Sequence, residues 1–279
     1  MPRLQFQQVD VFSSEPFRGN PLAVVAGADA LTDAEMQRIA NWTNLSETTF
    51  LCRPTDVDAD YRVRIFTPEH ELPFAGHPTL GTCQVWLGLG NTPKRSEVVQ
   101  QCGIGLVRIK RDGTRLAFAA PPLRRSGPLE PELLDRISKA LALDTGAIKA
   151  SQWVDNGPGW AGIMLATRAE LLSVKRDYAA LPGQAIGLVA PCDPVRDDTD
   201  AQFEVRAFVG TRSAEDPVTG SLNASLAQWL IGAGLAPETY VASQGTVMGR
   251  AGRIHVARTG PDIWIGGHVA TCIDGTIAM

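Results

Sequence analysis

The chain has 279 residues, 44% of them hydrophobic and 20% charged, with Lys+Arg 26 against Asp+Glu 30. That balance excludes a disordered polyelectrolyte and lacks the basic excess of a nucleic-acid binder. The length suits one large domain or two ordinary ones, and no run reaches the ~20 apolar residues of a membrane span.

The amino end, Met1 to Asp10, offers no apolar core for a signal peptide. The expectation is a soluble, cytoplasmic protein with neither nucleic acid nor membrane as partner. A helix is expected to open near Thr32, where Thr32 and Glu35 match a capping box and Leu31 and Met36 a hydrophobic staple. Alternating runs over 61–66 and 106–110 predict strands. Residues 121–131 then hold Pro121, Pro122, Pro128 and Pro131. Proline removes backbone donors, so this stretch is expected to be an extended linker rather than a ladder strand. It divides the chain into an amino-terminal domain, 1–120, and a carboxy-terminal domain, 132–279, whose last strand can cross back to the first. The second half opens with a helix near 132–143, followed by strands over 185–190 and 203–208.

The two halves resemble each other. A shift of 144 residues lays the window 76–90 on 220–234 and matches Gly76, Gln84, Gly88 and Gly90 with Gly220, Gln228, Gly232 and Gly234. Neither window contains Asp, Glu, Lys or Arg. A helix without a charged face is normally surrounded by other structure, and the Gly-x-Gly endings suit helix termini. The expected class is α+β, as two pseudo-symmetric domains, each a curved, barrel-like sheet around a buried central helix.

The amino end of a buried helix presents free N–H groups and a positive partial charge, which attract a carboxylate or phosphate. Two such ends are expected, at Gly76-His77 and at Gly220-Ser221. If the halves face each other, both ends converge on one interdomain cleft suited to a small anionic ligand. The alternative is ordinary capping by His77 and Ser221. Three acid–base residues lie beside these ends: Glu47, where the first helix gives way to a strand; His77, before Pro78; and Asp216, before Pro217. Taken singly, each also suits a strand edge, a cap or a turn. Together they supply a base for proton transfer and two partners to tune it.

The five cysteines (52, 83, 102, 192 and 272) form no Cys-x-x-Cys pair and do not cluster with the four histidines. They read as free thiols in or near the core. No phosphate-binding loop, nucleophile elbow or dinucleotide fingerprint is present, so neither a metal nor an organic cofactor is expected.

The segments Arg64–Pro78, Asn44–Phe50 and Glu215–Ser221 resemble those of the PhzF-like phenazine-biosynthesis isomerases. Further similar segments begin at Gly19, Asn156 and Ser243, and the resemblance runs from about residue 9 to about 256 in the same order. It implies a diaminopimelate-epimerase-like fold and a homodimer. Epimerases of this fold place a cysteine at the start of each central helix, where this chain has Ala75 and Thr219. Cys83 lies about two turns further in, so two-thiol racemisation is not expected. What the resemblance implies instead is a cofactor-independent isomerase with a single catalytic glutamate, Glu47. His77 and Asp216 complete the catalytic set, and Gly76, Gly220 and Ser221 bind substrate. The reference reaction isomerises trans-2,3-dihydro-3-hydroxyanthranilate. An isomerase or epimerase of another amino or hydroxy acid, or a non-catalytic metabolite-binding or scaffold protein, are the alternatives.

Overall fold

The computed structural model describes residues 3–210 and 214–279. The chain divides into two compact units, Met1–Ala119 with Gly266–Met279, and Ala120–Ile265. In chain order the first unit contains β1 (Arg3–Val11), β2 (Asn20–Ala26), α1 (Asp33–Thr43), β3 (Thr48–Cys52), β4 (Tyr61–Phe66), β5 (Glu71–Leu72), α2 (Gly76–Gly88), β6 (Val98–Cys102), β7 (Gly105–Asp112) and β8 (Arg115–Ala119). The second begins with β9 (Arg125–Gly127), α3 (Pro131–Ala140), β10 (Ile148–Asp155), β11 (Trp160–Leu165), α4 (Arg168–Ser173), β12 (Ala185–Pro191) and β13 (Phe203–Val209). It continues with β14 (Ala214–Asp216), α5 (Gly220–Gly232), β15 (Thr239–Gln244), β16 (Gly252–Thr259) and β17 (Asp262–Gly267). The final strand, β18 (Val269–Ala278), belongs to the first unit and pairs antiparallel with β1.

The same pairing pattern occurs twice. In the first unit β1 and β2 are antiparallel, β2 and β3 parallel, β3 and β4 antiparallel, β4 and β6 parallel, and β6 and β7 antiparallel. In the second unit β10–β11, β11–β12, β12–β13, β13–β15 and β15–β16 repeat that alternation. The short β5 and β14 lie antiparallel on β4 and β13. Even the ion pairs recur: Arg64 grips Glu71 through Nε at 2.8 Å and Nη2 at 2.6 Å, and Arg206 grips Glu215 through both nitrogens at 2.9 Å.

Each sheet curls around its own apolar helix. In α2 every residue from Gly76 to Cys83 is buried, and the helix packs on β1, β2, β3, β6, β8 and β18. Close approach is possible because Gly81 has no side chain: a Cβ there would come within 2.5 Å of Leu22 and 3.0 Å of Val9 and Val11. In the second unit the small residue is on the sheet, where a Cβ at Gly187 would meet Leu222 of α5 at 2.3 Å. Both helices end before a glycine in the left-handed region, Gly90 (φ 85°) and Gly234 (φ 68°), as the Gly-x-Gly pattern implies. The Thr32–Glu35 capping box is also formed.

The expected linker is only partly unladdered. Arg125–Gly127 pairs antiparallel with Trp153–Asp155. The prolines flank this stretch without interrupting it, so residues 124–127 retain their N–H groups. Arg124 N donates to Asp155 O at 2.7 Å, and the Arg125 guanidinium lies 3.6 Å from the centre of the Trp153 ring.

Candidate functional site

Glu47 lies in the short connection between α1 and β3. The helix stops at Asn44, whose left-handed conformation (φ 52°) turns the chain. Hydroxyl contacts then fix the start of β3: Thr48 with Thr43 at 2.7 Å, and Thr49 with Thr82 of α2 at 2.9 Å. This leaves the Glu47 side chain 15% exposed, with its Oε2 3.3 Å from Nε2 of His77, a side chain only 4% exposed. Burial pushes the His77 pKa down to about 3, so the imidazole is neutral despite the carboxylate beside it.

Asn20, buried at the head of β2, places Nδ2 3.4 Å from His77 Nδ1. With the amide in this orientation Nδ1 accepts, and the ring proton then sits on Nε2, facing Glu47. The Nε2–Oε2 separation is longer than the usual 2.9–3.0 Å of an N–H···O bond. With the imidazole neutral, the contact is not an ion pair.

The start of α2 carries no side-chain cap: its N-cap is Ala75, followed by Gly76 and His77. The start of α5 is likewise uncapped, with N-cap Thr219 followed by Gly220 and Ser221. Capping by His77 and Ser221 is thus not what these residues do. Instead each side chain takes an N–H from the first residue of the matching strand, Asn20 for His77 and Trp160 for Ser221, whose Oγ accepts from Trp160 Nε1 at 3.3 Å. Asn156 adds a bond from Nδ2 to Ser221 O at 2.9 Å.

Asp216 ends β14 and accepts the Thr219 hydroxyl on Oδ2 at 2.5 Å. Behind Thr219 stands buried Gln244, which also binds buried Asn223. Of the residues singled out in the sequence, Glu47, His77 and Gly76 gather at the start of α2 in the first unit. Asp216, Gly220 and Ser221 gather at the start of α5 in the second. Sequence reasoning assigned no role to Asn20, Trp160, Asn223 or Gln244. The one available clue was that three of them fall in or beside the segments beginning at Gly19, Asn156 and Ser243. Among the described residues no three His, Cys, Asp or Glu side chains gather as a metal site would require.

Comparison with known proteins places the chain in a family. The family model described as phenazine biosynthesis-like protein, PhzC-PhzF, matches residues 9–275. The chain is 34% identical to Antisense-enhancing sequence 1 of Schizosaccharomyces pombe, over 99% of each protein. It is 33% identical to the trans-2,3-dihydro-3-hydroxyanthranilate isomerase of Pseudomonas aeruginosa, over 90% of this chain and 89% of that one. The crystal structure of a PhzF-family protein from Enterococcus faecalis superposes with a TM-score of 0.82 at 26% identity, covering 100% of both chains. By sequence and by fold, the chain belongs to the phenazine biosynthesis-like PhzC-PhzF family.

Proposed function

We propose that the chain is a cofactor-independent isomerase that moves one proton on a small cyclic carboxylate, with Glu47 as both base and acid. The observation that carries this reading is the Glu47–His77 contact: a largely buried carboxylate beside a neutral imidazole at the uncapped start of α2. Glu47 accepts a proton from carbon, and the carboxylic acid so formed returns it at a second carbon. On trans-2,3-dihydro-3-hydroxyanthranilate, the substrate in the name of the P. aeruginosa relative, the C3–H bond breaks and a C1–H bond forms with no net change in composition. His77 donates from Nε2 to the negative charge that develops, and Asp216 orients a polar group of the substrate. The N–H groups at Gly76, Gly220 and Ser221 hold its carboxylate, each charge-assisted bond contributing ~1.5–3 kcal/mol. This requires both units to close on one ligand; the proposal includes that cleft, together with a cytoplasmic homodimer.

Turnover of trans-2,3-dihydro-3-hydroxyanthranilate in deuterium oxide tests the reading. The expected result is formation of the isomer, with solvent deuterium at C1 to the extent that the protonated Glu47 exchanges with solvent before it returns the proton. Exchange into a different amino or hydroxy acid instead would keep the proton shuttle and replace the substrate. Tight binding of such acids with neither product nor exchange in any of them would leave a metabolite-binding protein and defeat the proposal.

A further inference from the structure

We infer that Gln244 is a positioning residue for Asp216 and acts through Thr219, by fixing which way the Thr219 hydroxyl donates. The inference rests on the reading above that Asp216 touches the substrate.

The polarity of the network follows from one backbone group. Thr219 N–H can only donate, and its acceptor is Gln244 Oε1 at 3.0 Å. The same oxygen accepts from Asn223 Nδ2 at 2.8 Å. The amide of Gln244 is thereby oriented, and its Nε2 must face the other way, where it donates to Thr219 Oγ1 at 3.0 Å and to Asp216 O at 3.1 Å. A threonine hydroxyl has one proton. With a donor already on its oxygen, that proton is directed to Asp216 Oδ2 at 2.5 Å. Gln244 and Asn223 are each 1% exposed, so water does not compete for these bonds. Gly245 completes the support: at φ 91° it turns the chain directly after Gln244, where a Cβ would come within 2.7 Å of Pro217 O and of Arg250 Cβ.

The internal repeat supplies a comparison within the molecule. A shift of 144 residues carries Thr79 to Asn223 and Gln100 to Gln244, and Tyr61 pairs opposite Gln100 as Val205 does opposite Gln244. Gln100 Nε2 donates to Thr79 Oγ1 at 3.0 Å, but its Oε1 accepts from Tyr61 Oη and its helix begins at Ala75, which has no hydroxyl. Gln100 therefore ties strand to helix, with no hydroxyl at the helix start for it to orient. Only in the second unit does the same position reach an acid through a hydroxyl.

Gln244→Glu is the sharpest variant, because it keeps the shape and replaces a donor with an acceptor. The Thr219 hydroxyl then turns to residue 244 and releases Asp216. Crystal structures of Gln244→Glu and of the isosteric Thr219→Val are expected to show the Asp216 carboxylate rotated away from residue 219. Kinetics with trans-2,3-dihydro-3-hydroxyanthranilate are expected to show kcat down about 100-fold with KM little changed, the scale of a misplaced catalytic group. In an Asp216→Asn background the added effect should fall to roughly 3-fold or less, as for residues acting as one unit. Thr219→Ser should restore wild-type rates, and Gln100→Leu should lower stability while sparing kcat. An unmoved Asp216 carboxylate in both crystal structures, or full additivity with Asp216→Asn, would overturn the inference. The crystallographic outcome does not depend on the substrate, so it stands even if Glu47 proves not to be the proton shuttle.

Discussion

His77 Nε2 and Glu47 Oε2 meet at 3.3 Å, yet the histidine is held neutral by burial. The contact is electrostatically lopsided: one partner is an acid group and the other a dipole. A neutral imidazole donor can follow the carboxyl group through its changes of protonation without itself taking a second proton, which suits the base-then-acid role proposed for Glu47.

The depressed His77 pKa has a consequence for stability. The ordinary value is 6.5 and the folded value about 3. Between them the unfolded chain binds a proton at this site that the folded chain does not, so stability is lost as pH falls through the window. It is flat above about 6.5, with a slope reaching ~1.4 kcal/mol per pH unit below. Urea unfolding of wild type and His77→Gln at a series of pH values should show this slope removed in the variant. Equal slopes in the two proteins would place His77 in its protonated form.

Packing of the central helices should be sensitive to a single methyl group. Gly81→Ala places a Cβ 2.5 Å from Leu22 and 3.0 Å from Val9 and Val11. The strands or the helix must shift, at ~1–3 kcal/mol. Gly88→Ala, where a Cβ meets nothing within 4 Å, is the control. Thermal unfolding should separate the two variants clearly.

Cys83 should be chemically silent. It is fully buried in α2, and burial pushes its thiol up to about 12. A thiolate is therefore out of reach near neutral pH. Cys83→Ala is expected to cost stability, ~1 kcal/mol for the lost volume, and to keep turnover within roughly 2-fold. Loss of turnover without loss of fold would bring thiol chemistry back.

Much of the fold is legible in the chain because its determinants are local. The capping box at Thr32 and Glu35, the charge-free windows and their glycine endings, and the alternation over 61–66 each depend on neighbours a few residues away, and each appears in the structure. The strand at Arg125–Gly127 was not legible, because prolines on either side mask a stretch that keeps its donors. Candidate acid–base residues could be named from their types and their place before the buried helices. Their supports could not. Asn20 reaches His77, and Gln244 reaches Thr219 and Asn223, only because strand pairing folds distant segments together. Gln100 shows the difficulty: the same residue type at the equivalent position is wired to a tyrosine instead of an acid.

In the proposed reaction one carboxyl group, Glu47, carries the proton out and back. The most direct measurement is turnover of Glu47→Gln on trans-2,3-dihydro-3-hydroxyanthranilate, alongside calorimetric binding of the same compound. The substituted amide keeps the size of the side chain and can neither take nor return a proton. Turnover is expected to fall by 1,000-fold or more, about the upper range for removal of a general acid–base group, with affinity within a few-fold of wild type. A folded Glu47→Gln protein that binds the compound and still turns it over at a tenth of the wild-type rate would contradict the account.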